Sequence, residues 1–204
     1  MPKPVQLILG ALVLSACAFA QVGPPDSYQV AYAGNFAAGD SVVNMTNAGS
    51  IDGADPLGDI CANIYTLAQD QQVVSCCTCP LTPNHLRTLS VKNDLISNTL
   101  TPGVPTGVTI ALIASGNPTG VATACNAATV NPANLKSGLR AWATTLHAAP
   151  GGGFAVTENA FLPALLSTGE FAKLTSYCNF IQLNGSTFGI CGSCRDGAAG
   201  ASHK

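Results

Sequence analysis

The sequence predicts a mainly β domain: an antiparallel β-sandwich or barrel-like sheet with one C-terminal α-helix, stabilised by disulfides. Three observations point there. Short stretches alternate apolar and polar residues with a period of two, are rich in β-branched and aromatic side chains, and have turn residues between them. One late segment instead repeats with the helical period. Once Cys17 is set aside, eight of the nine cysteines remain, an even number in a chain that opens like an exported one.

In chain order, Ser27–Ala33 sets Tyr28, Val30 and Tyr32 on one face of a first strand. Gly39-Asp40 opens the second, Ser41–Thr46, which Asn47-Ala48-Gly49 closes. Ile60–Leu67 alternates about Tyr65, Gln71–Cys76 centres on Val73-Val74, and Asp70-Gln71 joins the two as a hairpin. Leu86–Val91 and Val108–Ala114 follow, the latter a continuous apolar run of buried-strand length between Pro105 and Gly116-Asn117-Pro118. Asn93–Pro105 is a turn-rich connection with room for an edge strand. Leu139–Ala148, with Trp142 and His147, suits a strand or a short helix, and the strand is preferred. The helix spans about 168–183: Phe171, Leu174, Cys178 and Ile181 share one face, Ser167 or Thr168 caps its start with Glu170 in the first turn, and Asn184-Gly185 supplies a left-handed stop.

Cys61, Cys76, Cys77, Cys79, Cys125, Cys178, Cys191 and Cys194 are expected in disulfides whose connectivity stays open. Cys76 and Cys77 are neighbours and go to different partners, because a vicinal disulfide strains the backbone. Cys178 projects from the packed helix face, and the loop carrying Cys191 and Cys194 returns to bond it or a cysteine of the sheet. Other cysteine chemistries fit less well. Cys191-Gly-Ser-Cys194 has redox spacing but no helix follows it to lower a thiol pKa. Arg195 stands where c-type haem attachment needs His, and export favours oxidation over a zinc thiolate site.

The start of the chain reads as a signal peptide over 1–20: Lys3, an apolar run Val5–Leu14 too short to span a bilayer, then Ala18-Phe19-Ala20 before Gln21. The alternative is the lipobox-like Leu14-Ser15-Ala16-Cys17, which would lipidate Cys17 and anchor the protein. Residues 21–196 then form a single secreted domain of ordinary size, with a disordered Gly/Ala tail over 197–204 and no transmembrane segment.

Charged residues are only 9% of the chain and the net charge is −2, so no basic patch exists for nucleic acid. No residue is assigned a catalytic role. His85 and His203 lie in a turn and in the tail, there is no nucleophile elbow or His-Glu-x-x-His pair, and nothing pairs the two glutamates, Glu158 and Glu170, with a second carboxylate. Asp52, Asp55 and Asp59 form the densest acid cluster and are calcium candidates. Their spacing misses the EF-hand pattern at Ala54, and aspartates beside Gly and Pro are first of all turn formers, so no metal or other cofactor is expected. Trp142 and His147 are candidate ligand-binding residues, and Tyr28, Tyr32, Tyr65 and Trp142 are candidate stacking platforms for a sugar.

Asp26–Tyr32, Gly39–Asn44, Asn93–Pro102 and Phe188–Arg195 together resemble an uncharacterised family of secreted, cysteine-rich proteins of soil bacteria, chiefly acidobacteria. The resemblance covers most of the mature chain and implies export and a bacterial source. It brings no activity with it, and it implies that the sequons at Asn44 and Asn184 carry no glycan. Few charges, abundant Thr, Asn, Gly and Ala, β strands and disulfides point to a non-enzymatic secreted or cell-surface protein, structural or adhesive and able to self-assemble. Its expected partners are itself or extracellular polysaccharide. The alternative is an extracellular carbohydrate- or small-ligand-binding module, and a secreted enzyme ranks behind both.

Overall fold

The computed structural model describes residues 21–37, 39–49, 58–117, 125–192 and 194–196. Its strands are β1 Tyr28–Gly34, β2 Ser41–Asn47, β3 Ile60–Leu67, β4 Val73–Leu81, β5 Leu86–Ser90, β6 Gly107–Gly116, β7 Leu139–Ala148, β8 Phe154–Ala160, β9 Leu162–Pro163 and β10 Arg195–Asp196, with one helix, α1, over Thr168–Asn184. They form two antiparallel five-stranded sheets, ordered β4-β3-β6-β1-β9 and β10-β5-β2-β7-β8. This is the mainly β, sandwich-like fold with a late helix that the sequence predicts. The expected signal peptide over 1–20, Cys17, Asp52, Asp55 and the tail over 197–204 lie outside the described residues.

Burial sorts the side chains into two cores, because successive residues of a strand point to opposite faces. Between the sheets lie Val43, Met45, Ile60, Ile64, Leu89, Ile110, Leu112 and Leu139. Between the first sheet and α1 lie Tyr28, Tyr65, Ile113, Phe171, Leu174, Cys178 and Ile181. The first sheet is therefore covered on both sides, which is why every residue of β3 is buried and β6 reads as an apolar run. The periodicity of β1 places Tyr28 and Val30 together, but their face lies towards the helix; Ala31 and Ala33 serve the inter-sheet core.

α1 buries the four residues expected of it, and Ser167 caps it by accepting from the Glu170 backbone N–H at 3.1 Å. Its end differs from expectation. Gly185 is right-handed (φ −72°), and the left-handed residues come later, at Ser186, Thr187 and Gly189. Glycine is needed at 185 for space: a Cβ there would run into the carbonyl oxygens of Ile181 and Phe188. Gly185→Ala should lower stability by about 1–3 kcal/mol through this overpacking, read as a lower urea midpoint with an unchanged slope.

Two further expectations are corrected. Asn93–Pro105 carries no edge strand. Val91–Leu95 is instead a single wide helical turn, held by the buried Asp94 carboxylate accepting from the Ser90 N–H at 2.7 Å and by the Ser90 hydroxyl accepting from the Asn93 N–H at 2.9 Å. These local side-chain bonds take the backbone groups a strand would need. β8 was not expected at all. It pairs with β7 after a turn through Gly151, Gly152 and Gly153, all at positive φ.

All eight described cysteines pair: Cys61–Cys125, Cys76–Cys178, Cys77–Cys191 and Cys79–Cys194. The neighbours Cys76 and Cys77 go to different partners because β4 turns them to opposite faces. Cys76 packs in the helix layer, whereas Cys77 and Cys79 lie on the inter-sheet side. Cys191 and Cys194 bond the sheet rather than one another or Cys178, so the loop after α1 is clamped along β4 and delivers β10 to the edge of the second sheet. Among the described residues no helix is long and apolar enough to cross a membrane. Four disulfides are consistent with a chain that works outside the cytoplasm.

Candidate binding site

β7 does not bring its two candidate residues together. Trp142 and His147 differ by an odd number of positions, so they face opposite sides of the strand. Trp142 lies half-buried on the outward face of the second sheet, opposite Asn44 of β2 and Ala160 of β8. Beside it a chain of hydrogen bonds crosses four strands. Thr88 Oγ1 donates to Asn44 Oδ1 at 3.0 Å, Asn44 Nδ2 to Thr144 Oγ1 at 3.2 Å, and Thr144 Oγ1 to Glu158 Oε1 at 3.1 Å. The Glu158 carboxylate is thus the acceptor at the end of a structural ladder.

His147 points the other way, to the inter-sheet side, and lines one groove with Tyr32, which the alternation of β1 sets on its helix-facing side with Tyr28 and Val30. Of the candidate stacking tyrosines, Tyr28 and Tyr65 are core residues, whereas Tyr32 is 70% exposed. The backbone beneath it holds its ring in place. Gly34 lies two residues on and pairs with Gly107 of β6; a Cβ at Gly34 would overlap the Tyr32 hydroxyl, and one at Gly107 would come within 2.7 Å of it. The ring therefore lies along two paired glycines, with space only because neither carries a side chain.

Tyr32, Gly34, Asn35, Thr145, His147 and Asn159 line an open groove of about 380 Å³ at this corner. Asn35 sits at φ 65°, a left-handed conformation that asparagine tolerates, and its Nδ2 donates to His147 Nδ1 at 3.3 Å. The Thr145 hydroxyl accepts from Ser41 Oγ at 3.2 Å. The lining is thus a phenol, two amides, a hydroxyl and an imidazole, with no carboxylate or ammonium. On the far side of Tyr32 a second hollow of about 310 Å³ carries Gln69, Gln71, Glu170 and Lys173, and Lys173 pairs with Glu170 at 3.8 Å. Tyr32 lines both.

Sequence reasoning finds Tyr32 and His147 but not Asn35, Thr145 or Asn159, which belong to no motif. The one available signal is Tyr32-Ala-Gly-Asn35, an aromatic followed by a glycine on the same face and an asparagine at the strand end. Of the remaining histidines, His85 lies in the Thr82–His85 turn and His203 lies outside the described residues. Asp59, the one described member of the calcium candidates, is buried just before β3, where its carbonyl accepts from the Asn117 N–H at 3.3 Å.

Comparison with known proteins finds no matching family model, no matching curated protein and no matching solved structure.

Proposed function

We propose that this chain is a non-enzymatic, secreted bacterial adhesive protein that holds neutral polysaccharide against Tyr32. The supporting observation is the groove itself: an exposed aromatic ring fixed over glycine backbone, with uncharged hydrogen-bonding groups along the groove that it lines. Sugars present apolar C–H faces that stack on aromatic rings and hydroxyls that pair with amides, hydroxyls and imidazole. A charged ligand would find no opposite charge in this lining. Disulfides and a surface poor in charge suit a protein that must persist outside the cell against a carbohydrate matrix.

A glycan array with the mature, oxidised chain tests this reading. Binding should concentrate on uncharged polysaccharides, and Tyr32→Ala should weaken it by about tenfold, the loss of one aromatic contact of order 1 kcal/mol. Retention of only sulfated or uronic-acid glycans, or binding indifferent to Tyr32, would refute it.

A further inference from the structure

The two sheets have four edges, and three are guarded. β9 is two residues long and ends in Pro163. β10 is also two residues long. β4 contains Pro80 and is tied through Cys76, Cys77 and Cys79 to α1 and the C-terminal segment. Short length, proline and covering elements are the means by which proteins keep sheet edges from pairing with other chains. β8 has none of them. It runs for seven residues, all exposed, without proline, lysine or arginine, and among the described residues no strand lies beyond it. Its one charge, on Glu158, is drawn back onto its own sheet by Thr144.

The hydrogen bonds to β7 fix which backbone groups β8 leaves open. Phe161 N–H bonds the Ala141 carbonyl and Ala149 N–H bonds the Gly153 carbonyl, so the intervening bonded pairs are Ala143 with Asn159, Thr145 with Thr157 and His147 with Ala155. Phe154, Val156, Glu158 and Ala160 therefore direct their N–H and C=O groups outward.

We propose that β8 is a dimerisation edge that pairs antiparallel with β8 of a second copy about a two-fold axis at Thr157. Only residues with outward backbone groups can bond, and centring on Thr157 uses all of them. Phe154 then faces Ala160 of the second copy, Val156 faces Glu158, and Thr157 faces its own counterpart, with about eight inter-chain backbone hydrogen bonds. The exposed Phe154 and Val156, each 60% accessible in the single chain, gain cross-strand neighbours, and no glutamate lies directly opposite another. The second sheets of the two copies become one continuous sheet. Because each copy offers one unguarded edge among the described residues, the interface is isologous and closes at two copies; the assembly is a dimer, not a filament. This deepens the self-assembly expectation by naming partner and register, and it does not depend on what the groove binds.

Sedimentation equilibrium of the mature, oxidised chain should show a dimer. Val156→Pro removes an outward N–H that β7 does not use, so it should give a folded monomer with an unchanged circular dichroism spectrum. Thr157→Cys should cross-link spontaneously into a covalent dimer through the introduced thiol alone, whereas Ala155→Cys, which faces Asn159 of the second copy, should not. A wild-type chain that stays monomeric to millimolar concentration, a dimer that survives Val156→Pro, or equal cross-linking at both cysteine positions would overturn the proposal. Tyr32→Ala should leave the dimer intact, so failure of saccharide binding and failure of dimerisation are read separately.

Discussion

Removing the Cys76–Cys178 bond with a Cys76→Ala, Cys178→Ala double variant should destabilise the chain by about 3 kcal/mol. Its cysteines stand 102 residues apart, but with Cys77–Cys191 intact the loop it closes in the unfolded chain is only about 15 residues, which the chain-entropy description values at about 3 kcal/mol. The bond is also the covalent link between α1 and the first sheet. The helix otherwise rests on Phe171, Leu174 and Ile181 packed over Tyr28, Tyr65 and Ile113. Loss of the bond should therefore show first as faster amide exchange through 168–184, with β2, β5 and β7 protected until global unfolding. Uniform loss of protection across both sheets would mean that helix and sandwich unfold as one unit.

A second large effect should appear at alkaline pH. Tyr65 is fully buried and donates its hydroxyl to the Ala127 carbonyl at 2.6 Å, and burial pushes its ionisation well above the usual tyrosine value. Tyr28 is pushed up to about 12, by burial and by the nearby Glu170 carboxylate. In the unfolded chain both phenols ionise near their ordinary value of about 10. The folded state thus holds protons that the unfolded state releases: the contribution is complete below about pH 10 and is lost as pH rises towards the folded-state values. Urea midpoints should hold up to that point and then fall steeply, with phenolate absorbance from these two tyrosines rising only as the chain unfolds. Tyr65→Phe should cost about 1–3 kcal/mol at neutral pH, because it strands the Ala127 carbonyl in the core, and should make the alkaline fall shallower. A fall of unchanged steepness would place the controlling ionisation elsewhere.

What could be read from the sequence was whatever is encoded by burial and local chemistry. β3 and β6 announce themselves as apolar runs because both their faces are covered, and α1 because four residues repeat along one stripe above a Ser cap. Opposite destinations for Cys76 and Cys77 follow from adjacency alone. β8 was silent because none of its residues is buried, so it carries no apolar periodicity to detect; only the three glycines before it mark the turn. The wide turn at Val91–Leu95 depends on Asp94 reaching back to Ser90, a bond that competes with strand formation without any repeating signature. The groove is harder still. Asn35 and His147 meet across 112 positions of chain, and the exposure of Tyr32 depends on a glycine pair that forms only when β1 and β6 take their register. Trp142, the more conspicuous aromatic, proves to face the opposite side of β7.

That opposition of faces supplies the most direct measurement. Titration calorimetry of the oxidised chain from Gln21 onwards, with the uncharged polysaccharide that ranks first on the glycan array, should be repeated on Tyr32→Ala, His147→Ala and Trp142→Ala. Binding through the groove predicts that the first two weaken the interaction by about tenfold each, while Trp142→Ala, on the far face of the sheet, leaves it unchanged. Binding that is lost with Trp142 and kept without Tyr32 would contradict the account and move the site to the outward face of the second sheet.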